Sequence, residues 1–139
     1  MFGIILASHG NMAEGMLDSA KLFFGDNIEK IQALCIHAEE DPEKFDDRIK
    51  NSIEELDDGC GVLILVDLFG GTPGNRAAVV LRNPKYSINV KVVTGMNFTM
   101  LLEVLGTRPT LKNIHELDVT SLMETGRDGI KYINELLAV

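Results

Sequence analysis

The sequence is short of cationic charge, of cysteine and of long apolar runs. Thirteen lysines and arginines stand against 21 aspartates and glutamates, for a formal net charge of -8 at pH 7 and a pI near 4.8. That balance argues against nucleic acid and anionic membrane surfaces as partners. Two cysteines, Cys35 and Cys60, make neither a disulfide framework nor a zinc site. Each sits in or beside an apolar run and reads as a small buried hydrophobe. The run 62–66 is far too short to span a bilayer. The N-terminal run has no basic leader and turns polar at Ser8, so it is not a signal peptide, and a cytoplasmic location is expected. Ten of the 21 acids fall between Glu39 and Asp58, which reads as one solvated helix face with its flanks.

What is present is an alternation of apolar runs and helical patterns within 139 residues, the size of one domain spanning 1–139. Buried strands are expected at 2–7, 31–36, 62–66 and 88–94. The last of these is broken by Gly95. Asn11 with Glu14 suggests a capping box for a helix whose apolar face is Met12, Met16, Ala20 and Phe23, closed by Gly25. Asp41-Pro42 gives a cap and a first-turn proline. Phe45, Ile49, Ile53 and Leu56 follow as a helical face, and Gly59 ends it. Thr72 and Pro73 open a helix through Leu81. Asn97 caps a face made by Phe98, Leu101, Leu102 and Leu105. Residues 111–124 are expected to be helical, stopped near Gly126. Periodicity leaves 130–137 open between strand and helix. Four strands separated by helices imply an α/β fold, an open doubly wound, mainly parallel sheet of order 2-1-3-4 with helices on both faces.

In such a sheet ligands bind beyond the carboxyl ends of the strands, where the winding reverses. For this order the reversal lies between the first and third strands, so Ser8-His9-Gly10-Asn11 and the segment from Asp67 to Pro73 become neighbours. A lone loop histidine can be merely solvated, and Asp67 could simply cap the next helix. Together they suit one another. A carboxylate accepting from imidazole Nδ1–H leaves Nε2 with a free lone pair, a nucleophile. Gly70 and Gly71 allow backbone N–H groups to turn inward, Thr72 adds a hydroxyl, and the two helix starts aim positive ends at the same spot. This is the outline of a phosphohistidine site. His37 and His115 read as surface or helix residues away from it.

Two segments, Ile5-Leu6-Ala7-Ser8-His9-Gly10 and the stretch from Val66 through Asp67 and Gly70-Gly71-Thr72 to Asn75, resemble hallmarks of the mannose/fructose/sorbose family of enzyme IIA components. These act in the phosphoenolpyruvate-dependent sugar phosphotransferase system. Val93 to Asn97 and Glu124 to Gly129 resemble that family at fitting distances. The resemblance implies that His9 accepts phosphate from the histidine phosphocarrier protein (HPr) and passes it to a histidine of a IIB component. A membrane permease would be only an indirect partner, and any IIB is expected on a separate chain. Asp67 would orient His9; Gly10, Asn11, Gly70, Gly71 and Thr72 would hold the phosphoryl oxygens, with no cofactor and no stably bound metal. It also implies a homodimer exchanging a C-terminal strand after Gly129. Other readings are the phosphocarrier subunit of dihydroxyacetone kinase and a metal chelatase using His9 as ligand. A flavin module is disfavoured, since Phe69 alone near the site could stack on a ring.

Overall fold

A computed structural model describes residues Met1–Val139. The β-branched and leucine-rich runs form four strands: β1 (Gly3–His9), β2 (Ile31–Ile36), β3 (Val62–Val66) and β4 (Val90–Thr94). All three pairings are parallel, and the order is β2-β1-β3-β4. Alternation along the strands divides the interior in two. Ile4, Leu6, Leu63 and Leu65 face one layer, with α1 (Met12–Phe24), α5 (Phe98–Thr107) and α6 (Val119–Asp128). Ile5, Ala7, Ile64 and Val66 face the other, with α2 (Pro42–Leu56) and α3 (Thr72–Val80). Covering both faces is what lets β1 and β3 be apolar along nearly their whole length. The expected doubly wound architecture is therefore the observed one.

Several local expectations need correction. Asn11 occupies the N-cap of α1, but its side chain makes no capping bond. Ser8 does that work: its hydroxyl accepts from the Ala13 N–H at 2.8 Å and donates to the Gly10 carbonyl at 3.0 Å. Thr72 is the first residue of α3, and Gly71 occupies the cap position. The fourth strand begins at Val90 because 84–87 forms a short helix, α4 (Pro84–Ser87). Asn83 caps it, accepting from the Lys85 N–H at 3.0 Å. Asn83-Pro84 is the same cap-plus-proline signal as Asp41-Pro42, but one helical turn is too short to show periodicity. Residues 111–124 are not one helix. Two 3-10 turns (Arg108–Thr110 and Ile114–Glu116) precede α6, which starts on the Asp118 cap. Gly126 does not stop α6; it lies inside it, where an added Cβ would meet Met100 Cε at 2.9 Å.

The tail differs most. Residues 133–137 form a helix, α7 (Ile133–Leu137), with no buried residue. An isolated strand would leave its N–H groups unpaired, whereas this turn pairs some locally, as in Leu136 N–H to the Tyr132 carbonyl at 3.3 Å. The helical face does not cover the chain's own sheet: Ile130, Ile133, Leu136 and Leu137 are all exposed.

Arg108 ties the amino edge of the sheet together and was not foreseen. It is 2% exposed. Its guanidinium donates to the carbonyls of Phe2 and Lys30, both at 3.1 Å, and to that of Glu29. Burial lowers its pKa to about 10, so it stays charged at neutral pH. Three chain segments thus depend on one buried cation. Replacing Arg108 with Leu leaves the buried Phe2 carbonyl without this donor and removes a donor from the partly buried Glu29 and Lys30 carbonyls, the last of which still accepts from the Ile4 N–H at 2.9 Å; urea unfolding is expected to show a loss of about 1–3 kcal/mol. A midpoint within error of the parent would show that the cation contributes nothing net.

Candidate functional site

The β1–β3 register pairs Ala7 with Val66, so the next residues, Ser8 and Asp67, emerge side by side. The Asp67 N–H donates back to the Ala7 carbonyl at 3.1 Å, which fixes the start of the loop. His9 is the last residue of β1, not the first of a loop. Its backbone N–H donates to Asp67 Oδ2 at 2.9 Å, and its Nδ1 stands 2.8 Å from the same oxygen. A carboxylate only accepts, so Nδ1 carries the proton and Nε2 keeps a lone pair. The Asp67 side chain is 10% exposed and that of His9 is 47% exposed. The carboxylate is nearly buried and the imidazole is open.

Asp67 Oδ1 is buried and has no hydrogen-bond partner. The carboxylate is therefore satisfied through one oxygen, and both donors to it belong to His9.

Gly71 fixes the ring from another side. A Cβ there would lie 2.5 Å from His9 Cε1 and 3.1 Å from Nε2, so only glycine lets the imidazole lie against this turn. Its φ of -89° is ordinary; the requirement is space. Gly10 and Gly70, at φ of 55° and 81°, are the left-handed positions. The expected N–H donors are only partly free. The Gly10 N–H donates to the Ile36 carbonyl at 2.8 Å, and the Gly71 N–H reaches the Leu68 carbonyl at 3.5 Å. What remains are the Thr72 and Gly74 N–H groups, since Pro73 has none and the Asn75 N–H donates to the Gly71 carbonyl at 3.0 Å, and the Thr72 hydroxyl beside them. Thr72, His9 and Gly10 line one cleft of about 380 Å³.

A family model described as PTS system fructose IIA component matches residues 3–120. The chain belongs to the mannose family of phosphotransferase-system IIA components. The mannose-specific EIIAB component of Escherichia coli K12 is 32% identical over 128 residues, 92% of this chain, and the chain spans 38% of that relative's length. The fructose-specific EIIA component of Bacillus subtilis is 29% identical over 80% of this chain and 73% of its own. Among solved structures, the EIIA component of Streptococcus agalactiae superposes with a TM-score of 0.84 at 26% identity, covering 97% of this chain and 99% of that one.

Two further features of this IIA chain stand beside the site. Leu68 and Phe69 flank the site as exposed apolar side chains, Phe69 at 86%. His37 does not stand away from the strand ends: it directly follows β2 and lines the same cleft as His9. The strand assignment 31–36 itself implies that position, since His37 is the residue that follows it. No group of three or more His, Cys, Asp or Glu side chains is arranged to hold a metal ion. His115 lies at the opposite end, its Nε2 3.1 Å from Asn89 Oδ1 just before β4. No helix is long and apolar enough to cross a membrane.

Asp67→Asn keeps the shape but presents an amide that favours the wrong His9 tautomer. The variant is expected to melt like the parent and to transfer phosphate at least ~10-fold more slowly, a loss of ~1.4 kcal/mol or more in the transition state. Unchanged transfer in both directions, measured by rapid quench, would remove Asp67 from the mechanism.

Proposed function

We propose that this chain is the phosphoryl carrier of a sugar phosphotransferase system, accepting phosphate on His9 from HPr and giving it to a IIB component. The observation that carries the reading is the single geometry in which Asp67 holds Nδ1–H and leaves Nε2 open. In the first transfer an N–P bond forms at His9 Nε2 while the donor's P–N bond breaks, its electron pair returning to the donor ring. The Nδ1 proton stays on His9, facing Asp67. The second transfer repeats the exchange in the other direction, from Nε2 to the acceptor histidine. Each step moves one phosphoryl group between nitrogens, so positioning and charge stabilisation suffice, and no cofactor or metal takes part. Thr72 and the α3 N–H groups hold phosphoryl oxygens, Asn11 stands at the start of α1 with its side chain uncommitted to the cap, and Gly70 and Gly71 shape the turn. The exposed Leu68 and Phe69 give both partners an apolar place to dock beside the reacting nitrogen. The setting for this cycle is the cytoplasm, with the permease reached only through IIB.

Incubation with labelled phosphoenolpyruvate, enzyme I and HPr is expected to place one acid-labile phosphate on the parent and none on His9→Ala. Label persisting on the variant at His37 or His115 would overturn the assignment.

The same reading includes a homodimer built through the tail. Ile130, Tyr132, Ile133, Leu136 and Leu137 are all more than half exposed, an apolar load that a soluble monomer avoids. An apolar cleft of about 620 Å³, lined by Val92, Thr94, Met100 and Met123 among others, lies at the unpaired edge of β4. A partner's tail, extended as a strand, would satisfy both. Truncation after Gly129 is expected to turn a dimer into a monomer or an aggregate by light scattering. A full-length monomer at micromolar concentration would end the exchange hypothesis.

A further inference from the structure

A phosphoryl group on His9 brings close to two negative charges into a cleft that already contains Glu40. The nearby cations are committed elsewhere. Arg48 donates to Glu40 at 3.0 Å and to the Cys35 carbonyl at 2.9 Å. Arg76 is clamped on Asp46 by two bonds, of 2.6 and 2.5 Å, and that carboxylate raises its pKa further. Lys44 lines the adjoining hollow with Glu39 and Asp41, not this one. On the walls of the cleft that His9 shares with Thr72, one side chain capable of donating to an anion from the β2 side is left, and it is His37.

Its place is built, not incidental. His9 pairs with Ile36 across the β1–β2 ladder, and the Ile36 carbonyl holds the Gly10 N–H at 2.8 Å. His37 is the next residue, and its own carbonyl accepts from the Glu40 N–H at 3.0 Å, closing a turn. Parallel neighbours lie about 4.8 Å apart. His9 and His37 thus leave adjacent strand ends and both line one cleft, and the His37 ring makes no hydrogen bond of its own.

We propose that His37 is a phosphoryl-binding residue: its ring N–H donates to an oxygen of the phosphoryl group on His9 Nε2, opposite the Thr72 hydroxyl. This rests on the reading of His9 as acceptor. No proton is transferred by His37 and no bond to phosphorus involves it; it holds charge while the N–P bond at His9 forms or breaks.

The test compares His37→Ala, His37→Gln and His115→Ala in the full chain, with HPr as donor. His37 is exposed and its side chain makes no internal bond, so both of its variants are expected to melt like the parent, and His115→Ala gives up only one exposed hydrogen bond, to Asn89. Phosphoryl acceptance is expected to fall about tenfold in His37→Ala. It should stay within about threefold of the parent in His37→Gln, whose amide keeps an N–H donor, and be unchanged in His115→Ala. The imidazole ¹⁵N resonances of His37 in the parent should also shift on phosphorylation. Parental rates in His37→Ala, equal losses in the Ala and Gln variants, or resonances that do not move would each overturn the proposal. If the parent is not labelled at His9 at all, the carrier reading fails instead, so the two failures are distinct.

Discussion

The parallel pairing of β1 with β3 is the constraint from which the site follows. Sliding that ladder by one residue would turn every buried side chain of one strand to the opposite layer, against helices shaped for the other set. The register is therefore held by both interiors at once, Ile4 and Leu63 on one side, Ile5 and Ile64 on the other. Asp67 needs no separate device to find His9. It arrives there because Ala7 opposes Val66, and the carboxylate then closes on the amide and the ring of the same residue.

Much of this is legible in the residues, for a physical reason. A strand buried on both faces must be apolar throughout, so 62–66 could hardly be anything else, and the strand order follows from short right-handed connections. That order alone places His9 beside Asp67. The tautomer followed from the types of the two groups. Asp41 and Asn97 also cap their helices as their sequence settings indicate.

What stayed hidden depends on contacts between residues distant in sequence, or on competition between equivalent local signals. Ser8 and Asn11 could each cap α1; Ser8 accepts from the Ala13 N–H, while Asn11, at φ -83° and ψ 12°, lacks the extended backbone of a capping residue. The two glycines at 70 and 71 look interchangeable, yet one serves a left-handed turn and the other clears space for an imidazole. Arg108 reads as an ordinary surface charge until Phe2, Glu29 and Lys30 are folded around it. The tail could not be read alone because its amphipathic pattern fits either state, and the choice belongs to whatever surface meets it.

The nearly buried Asp67 and the open His9 have a consequence for traffic in the cycle proposed above. With one ring nitrogen sealed by the carboxylate and the ring leaning on Gly71, that cycle would leave a single atom to serve both the incoming and the outgoing transfer. Donor and acceptor would then compete for one berth and take turns. A carrier of this build cannot gain speed by gripping either partner harder, because every increase in residence time on one side lengthens the queue on the other. Its interface is best when it is weak, quick to release and nearly indifferent to which protein has just arrived.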